Sequence, residues 1–251
     1  MRAKVIAMHI DEHPEIRTRK DAARKASERA MLEAAAEMLW ESPVGDIFSD
    51  LKPVDIARRA DPPRTTGSFY NIWPTQTRFR EAFVNYLLSL EHFRAERDAQ
   101  STIEELLASP DFDLAELIRV AGNKYFDGLK GEPVMRIQLA LWTKADGNPQ
   151  IRERLKALYD DVASAMIPLY ETMVARAGRR MRAPYTVHDL AVVLAALVEG
   201  LHIRWAIDHD AIAEDLGAPP GAPAENGRPW GTFSSVAHIV VKGMTEPLPT
   251  P

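Results

Sequence analysis

The chain has 251 residues, of which 46% are hydrophobic and 27% are charged, and its formal net charge is −5. This length and composition allow a buried core in one large domain or in two small ones. The absence of cysteine excludes a disulfide framework and cysteine-ligated metal sites, and it is typical of a reducing cytoplasm. The apolar run Val5–Ile10 is broken by His9 and is too short for a signal peptide or a membrane span. We therefore expect a cytoplasmic protein that does not contact a membrane.

The distribution of charge is uneven. Six basic residues lie between Arg17 and Arg29, against only Asp21 and Glu28, whereas acidic residues predominate after Arg97. A local basic cluster matters more for nucleic-acid binding than the acidic sum. This basic stretch could lie along phosphates, remain a mobile arm, or form an ordinary solvated helix face.

A first helix is predicted from about Thr18 to Ser42, because this segment is rich in Ala, Arg, Lys and Glu. Ala30, Ala34 and Met38 recur at the spacing of one buried face. Residues before this helix show no periodicity and are expected to be loose.

Two short helices joined by a tight turn are predicted in the next stretch, from Lys52 to Phe79. Pro53 suits the first position of a helix, where its missing N–H costs nothing. Asp61-Pro62-Pro63 cannot continue that helix, because proline lacks an N–H and restricts the residue before it. Thr65 or Thr66 then offers a side-chain oxygen to the free amides of a second helix.

The second short helix is polar and small at its start and aromatic at its end. Such a helix suits insertion into a DNA major groove. Arg64 can donate two hydrogen bonds to guanine, threonine methyl groups can contact thymine, and Ser68 and Asn71 can reach phosphates or bases. Gly67 would let the backbone approach DNA closely. The alternative is a plain helical hairpin within a bundle.

The stretch resembles the DNA-binding domain of the TetR (tetracycline-repressor-like) family of transcription regulators. The resemblance rests on three segments over about the first third of the chain, namely EAAAEMLW (Glu33–Trp40), DIARRA (Asp55–Ala60) and TGSFYNIWP (Thr66–Pro74). It implies that Tyr70 contacts a phosphate. The predicted DNA-binding residues are therefore Arg64, Thr65, Thr66, Gly67, Ser68, Tyr70 and Asn71.

The sequence departs from the family pattern at two kinds of position. The turn Asp61–Gly67 and the segment Pro43–Lys52 are longer than is usual in the family. Gln76 stands where the family often has a lysine that contacts phosphate, and Arg78 or Arg80 could supply that charge instead. These departures affect individual DNA contacts more than the fold.

Further helices with clear stop signals are predicted in the rest of the chain. They run from Thr75 to about Gln100, from Ser101 to Ser109, from Asp113 to Lys130, from Pro133 to Gly147, from Pro149 beyond Met173, from Thr186 to Asp208 and from Thr232 to Met244. Pro168 should kink the helix that contains it. Gly217–Gly231, which is rich in Pro and Gly, predicts a loop. No strand is predicted.

The helix from Thr186 to Asp208 is expected to be buried on two sides, because every residue from Leu190 to Val198 is apolar. With the last helix it could pair across a two-fold axis, Leu194 and Leu197 lying in the interface. The alternative is that this helix is the centre of a monomeric bundle.

The resemblance also implies a small-molecule pocket in the second domain. The candidate lining residues are Tyr125, Met135, Gln138, Trp142, Tyr159, Met166, Tyr170, His202 and Trp205. Aromatic and methionine side chains at helical spacing are more often plain core than ligand contacts. A ligand that favours a wider spacing of the two DNA-reading helices would lower operator affinity. A repressor without a pocket and an activator remain open.

The predicted fold is all-α, with an N-terminal three-helix helix-turn-helix DNA-binding domain and a C-terminal helical bundle for ligand binding and dimerisation. The predicted boundaries are residues 1–20 for a flexible basic arm, 21–80 for the DNA-binding domain and 81–251 for the bundle. We expect a homodimeric transcriptional regulator of palindromic double-stranded DNA, and most simply a repressor released by a small molecule.

Two other classes of protein were weighed against this expectation. An all-helical enzyme or metal protein could use the second domain, but His202 and His209 lack the four-residue spacing of a metal pair, and no phosphate-binding glycine loop or nucleophile motif is present. We therefore predict no catalytic residue, no metal site and no cofactor. The other alternative is an interaction module with a degenerate DNA-reading helix, which salt-insensitive DNA binding would reveal.

Overall fold

The computed structural model describes residues 14–41, 51–89, 93–130, 134–222 and 228–249. The chain divides into two compact units, Met1–Leu87 and Leu88–Pro251. Regular structure in the described residues is almost entirely helical, so the predicted all-α class is confirmed. The predictions for residues 1–13, which include most of the basic arm, and for residues 42–50 lie outside the described residues.

The N-terminal unit contains four helices in its described part. They are α1 (Pro14–Glu41), α2 (Pro53–Arg59), α3 (Thr66–Ile72) and α4 (Gln76–Leu87). α1 begins before the predicted start at Thr18, and it contacts each of the other three helices. Met31, Ile56, Phe69 and Phe83 are fully buried, so the unit has its own apolar core.

The C-terminal unit is a helical bundle. Its helices are α5 (Arg94–Ala108), α6 (Leu114–Lys130), α7 (Val134–Ala145), α8 (Pro149–Arg176), α9 (Val187–Ile207) and α10 (Thr232–Met244). α6 packs against α5 and α10, and α9 packs against α8 and α10.

Three of these helices begin with a capping side chain. The Asp113 carboxylate accepts hydrogen bonds from the first backbone amides of α6, and the Asn148 side chain does the same for α8. Thr186 and Asp189 form a reciprocal capping box at the start of α9. These starts were predictable because a capping side chain acts within three residues of its own position.

The predicted single helix from Thr75 to Gln100 is wrong, as is the separate helix starting at Ser101. α4 ends at Leu87, and α5 runs through Ser101 without interruption. Thr102 lies mid-helix, where its hydroxyl donates to the Asp98 carbonyl at 2.7 Å. The apolar side of α4 is buried in the N-terminal unit and that of α5 in the C-terminal unit. Tertiary burial therefore decides where the helix breaks.

A small sheet contradicts the prediction of no strand. β1 (Arg179–Met181) pairs antiparallel with β2 (Thr245–Pro247), with Arg180 opposite Glu246. Each strand has only three residues, so neither can show an alternating pattern in the sequence. The sheet joins the end of α8 to the end of α10.

α9 is long and apolar enough to cross a membrane by length and composition alone, a test that core helices of soluble proteins also pass. Only 28% of its most apolar window is buried in the single chain. The expected burial on two sides is therefore not complete within one copy. Leu194, expected in a pairing surface, is instead buried in the core of its own unit.

Candidate functional site

The DNA-reading candidate α3 is held at both of its ends. At the start, Thr65 adopts an extended conformation and its Oγ1 accepts a hydrogen bond from the Ser68 amide at 3.1 Å. This settles which of the two threonines caps the helix. A seven-residue helix has little stability of its own, so tertiary contacts must hold it in place.

Those contacts are aromatic. The ring of Phe69 lies 5.1 Å from that of Trp73 and 5.0 Å from that of Phe79, and Phe79 stacks on Phe83 at 5.5 Å. All four rings are nearly or fully buried. Aromatic pairs at these distances add stability beyond their burial. The buried rings thus form a rigid base for α3.

The predicted DNA-binding residues lie around the exposed side of this helix. Thr65, Gly67, Tyr70 and Asn71 are exposed, whereas Arg64, Thr66 and Ser68 are half-buried. The Arg64 amide donates to the Ala57 carbonyl at 2.7 Å, which fixes the turn against α2. The Arg64 Nε is buried and has no hydrogen-bond partner among the described residues.

Several basic residues of the N-terminal unit are held by acids. Arg59 bridges from α2 to both Glu41 and Glu37 of α1, and its hydrogen bond holds the pKa of the Glu41 carboxyl below its usual range. Arg59 is therefore part of the scaffold. Arg78, which could replace the missing lysine, remains exposed and pairs with Glu81 on its own helix at 3.1 Å.

The C-terminal unit contains a cavity of about 350 Å³, formed by α5, α6, α8, α9 and α10. This volume lies within the range of small-molecule sites. Four of the predicted ligand-binding residues line it, namely Tyr125, Tyr159, Met166 and Tyr170. The other five do not.

Two of those five support the wall from outside. The buried Gln138 Nε2 donates to the Tyr159 hydroxyl and to the Glu199 carboxylate, both at 3.1 Å. Trp142 also hydrogen-bonds the Tyr159 hydroxyl. Met135 and His202 are buried elsewhere in the unit, and Trp205 lies beside His202 with a ring separation of 5.7 Å.

Two acidic residues of the cavity, Glu96 and Glu199, were missed by sequence reasoning. Burial raises the pKa of Glu199, although hydrogen bonds from Tyr159 and Gln138 oppose the shift. Glu96 accepts a hydrogen bond from the Tyr125 hydroxyl at 3.0 Å. The available signal for Glu199 was its position as a lone carboxylate directly after the apolar run Leu190–Val198. A charge on an otherwise apolar helix is costly to bury without a partner.

The metal alternative gains no support from the described residues, within which no group of three or more His, Asp or Glu side chains is placed to hold an ion. His202 and His209 instead flank Trp205, and the His209 ring lies 4.5 Å from the indole.

The two units together define the class of the protein, a helix-turn-helix protein whose second unit is a helical bundle with an internal cavity. A family model for the C-terminal domain of BetI-type transcriptional repressors matches residues 115–217. No curated protein sequence matches significantly.

Solved structures agree on the fold. A protein of Mesorhizobium loti assigned to the TetR family of transcriptional regulators superposes with a TM-score of 0.60 and 10% identity, covering 88% of this chain and 96% of its own. A TetR transcription regulator of Haloarcula marismortui gives a TM-score of 0.56 and 13% identity, covering 88% and 98%. The C-terminal unit thus matches a domain model of TetR-family repressors over residues 115–217, and the chain as a whole has the fold of TetR-family regulators.

Proposed function

We propose that this protein is a DNA-binding transcriptional regulator of the TetR family. In this proposal it is a cytoplasmic homodimeric repressor that binds a palindromic operator through α3 and is released by a small molecule in the C-terminal cavity. The observation that carries the DNA-binding part is α3 itself. Its polar residues face outward while Phe69 and Trp73 hold its other side in the core. Recognition helices need such a rigid base, because base contacts require the backbone to be held in register.

Arg64 supports this assignment from the turn before α3. Its buried Nε lacks an acceptor among the described residues, and an unpaired buried donor is costly unless a partner arrives. A phosphate or a guanine edge would supply that acceptor.

Gly67 offers a sharp test of backbone approach to DNA. A Cβ at this position would meet only the Thr65 Oγ1, at an ordinary contact distance of 3.6 Å. Gly67→Ala should therefore leave the fold intact, with helix propensity in its favour by up to about 1 kcal/mol. If DNA lies against this turn, the added methyl group should still weaken operator binding.

The operator would first be selected from a random DNA pool. We expect enrichment of a two-fold symmetric sequence and an affinity that falls steeply as salt rises. Gly67→Ala should then lose affinity in fluorescence anisotropy without losing thermal stability. Gly147→Ala is the control, since a Cβ there meets no described residue beyond its chain neighbours within 4 Å and Gly147 lies outside the N-terminal unit. Failure of the pool to converge would refute the operator, and full affinity of Gly67→Ala would refute the close approach.

The exposed apolar face of α9 and α10 supports dimerisation. On α9, Val193 is 40% exposed and Ile207 is 76% exposed, and on α10 Ile239 is 51% exposed. Apart from its own helix backbone, a Cβ built at Gly200 or Gly243 on the same helices meets no described residue within 4 Å. Exposed apolar stripes with small residues allow close packing of partner helices, and apolar patches of this kind mark protein interfaces.

Val193→Glu combined with Ile239→Glu should give monomers in sedimentation velocity, because each charge would be buried in the proposed interface. Leu216→Glu is the control, an equally exposed apolar residue outside both helices. A double variant that still sediments as a dimer would place the interface elsewhere. Leu194 is unsuitable for this test, because its substitution would disturb the core of its own unit.

A further inference from the structure

The described polar groups that line the cavity of the C-terminal unit are either uncharged or negatively charged. Its wall is largely apolar, and its polar groups are the carboxylates of Glu96 and Glu199 and the hydroxyls of Tyr125, Tyr159 and Tyr170. No Lys, Arg or His is among the described residues that line it. The described lining residues thus bring negative charge to the cavity and no positive charge.

Glu199 is the most informative of these groups. It receives hydrogen bonds from Gln138 and Tyr159, yet it forms no ion pair with any described residue. Neutral donors repay only part of the cost of burying a carboxylate. A positive charge bound in the cavity would offset more of the cost of burying this carboxylate.

The two carboxylates of the cavity both act on the same tyrosine. Tyr125 is affected by the charges of both Glu96 and Glu199, and together with burial they raise its pKa well above the usual value. Burial raises the pKa of Tyr170 to about 12, and its hydroxyl has no hydrogen-bond partner among the described residues. An unused hydroxyl therefore lines the cavity together with these carboxylates.

We propose that the effector is a compact lipophilic cation, an amine whose ammonium group lies against Glu199 and whose apolar body fills the rest of the cavity. The proposal rests on the function proposed above, in which this cavity is the effector site. An ammonium group donates charge-assisted hydrogen bonds to Glu199 and an ordinary one to the Tyr170 hydroxyl. The tyrosine rings can also attract a cation through their faces.

The same features reject other ligands. An anionic ligand would place a second negative charge beside Glu199 in a low-dielectric space, which is strongly unfavourable. A neutral alcohol would fit but would leave the charge of Glu199 uncompensated. Among ligands of equal shape, the charge of the ligand should therefore determine the order of affinity.

Three compounds of matched shape test this ranking: para-tert-butylbenzylamine, para-tert-butylbenzyl alcohol and para-tert-butylbenzoate. Each would be titrated by isothermal calorimetry into the full-length protein without DNA, at neutral pH. We expect the amine to bind about tenfold or more tightly than the alcohol, as for a charge-assisted hydrogen bond, and the benzoate to bind most weakly.

Glu199→Gln should remove the advantage of the amine over the alcohol while leaving alcohol binding nearly unchanged. The amide keeps the shape of the side chain and one acceptor oxygen for Gln138 or Tyr159. We therefore expect folding to be preserved, and circular dichroism would check this. Glu153→Gln is the control, since it removes an equal charge from an exposed position on α8. Equal or tighter binding of the benzoate, an amine preference that survives Glu199→Gln, or no binding of any compound would each overturn the proposal.

The readout separates this inference from the proposed function. Binding is measured without DNA. If the protein binds the amine but is not released from its operator by it, the proposed ligand class is supported and the proposed release mechanism is refuted. If the benzoate releases the protein from its operator and the amine does not, release by a small molecule is supported and the proposed ligand class is refuted.

Discussion

Phe69 and Tyr70 are neighbours on α3 with opposite predicted roles, and truncating each to alanine should separate anchoring from DNA reading. Phe69 is fully buried, with its ring close to those of Trp73 and Phe79. Removing a buried phenylalanine side chain costs about 3–5 kcal/mol. Tyr70 is 44% exposed and its ring meets Phe69 edge-on at 5.4 Å, so its truncation should cost about 1 kcal/mol.

These energies convert into different melting temperatures. For a unit of this size, 1 kcal/mol corresponds to about 4–8 °C. Phe69→Ala should therefore lower the melting transition of the N-terminal unit by at least about 12 °C, against about 8 °C or less for Tyr70→Ala. Differential scanning calorimetry of the full-length protein can follow this transition.

Operator affinity should fall more in Tyr70→Ala than in Phe69→Ala when both variants are compared in the folded state. At a temperature where both variants are folded, Tyr70→Ala should lose about tenfold or more in operator affinity, as for a hydrogen bond to a charged phosphate. Phe69→Ala should lose less, because its side chain does not face DNA. If Tyr70→Ala melted as low as Phe69→Ala, or bound the operator as tightly as the wild type, the division between the two residues would be refuted.

Three further predictions concern single side chains. Thr65→Ala should destabilise the N-terminal unit by about 1 kcal/mol while Thr65→Ser should not, and equal melting of both variants would exclude the cap. Arg64→Ala should weaken operator binding by about 1–3 kcal/mol, and an unchanged anisotropy titration would remove Arg64 from the contact set. Burial raises the pKa of Glu199, so its carboxyl adds stability below its unfolded pKa and that stability is lost as pH rises through the raised value. Glu199→Gln should therefore raise the melting temperature of the ligand-free protein more at neutral pH than at about pH 4, and the opposite order would contradict the shift.

Local signals in the sequence were sufficient for most helix starts and for the helix-turn-helix. Asp113, Asn148 and Thr186 cap the helices that follow them, because caps depend on neighbours three residues away. Pro53 stands in the first turn of α2 for the same local reason.

The cavity was only partly predictable. Large aromatic and methionine side chains at helical spacing identified four lining residues but could not distinguish a cavity wall from solid core, since both are apolar. Gln138 was named as a lining residue and instead braces the wall from behind by hydrogen bonds to Tyr159 and Glu199. Glu199 itself was overlooked, although a lone acid directly after the apolar run Leu190–Val198 was a local signal of a buried charge.

The sequence alone determined the class of the protein, since caps, turn residues and the aromatic base of α3 act over a few positions along the chain. Only the tertiary structure decided where the helix between the two units breaks, which apolar residues of α9 stay exposed, and that β1 pairs with β2. Each of these depends on which side chains meet across long sequence separations. Burial and pairing energies depend on these long-range contacts, so a short stretch of sequence does not determine them.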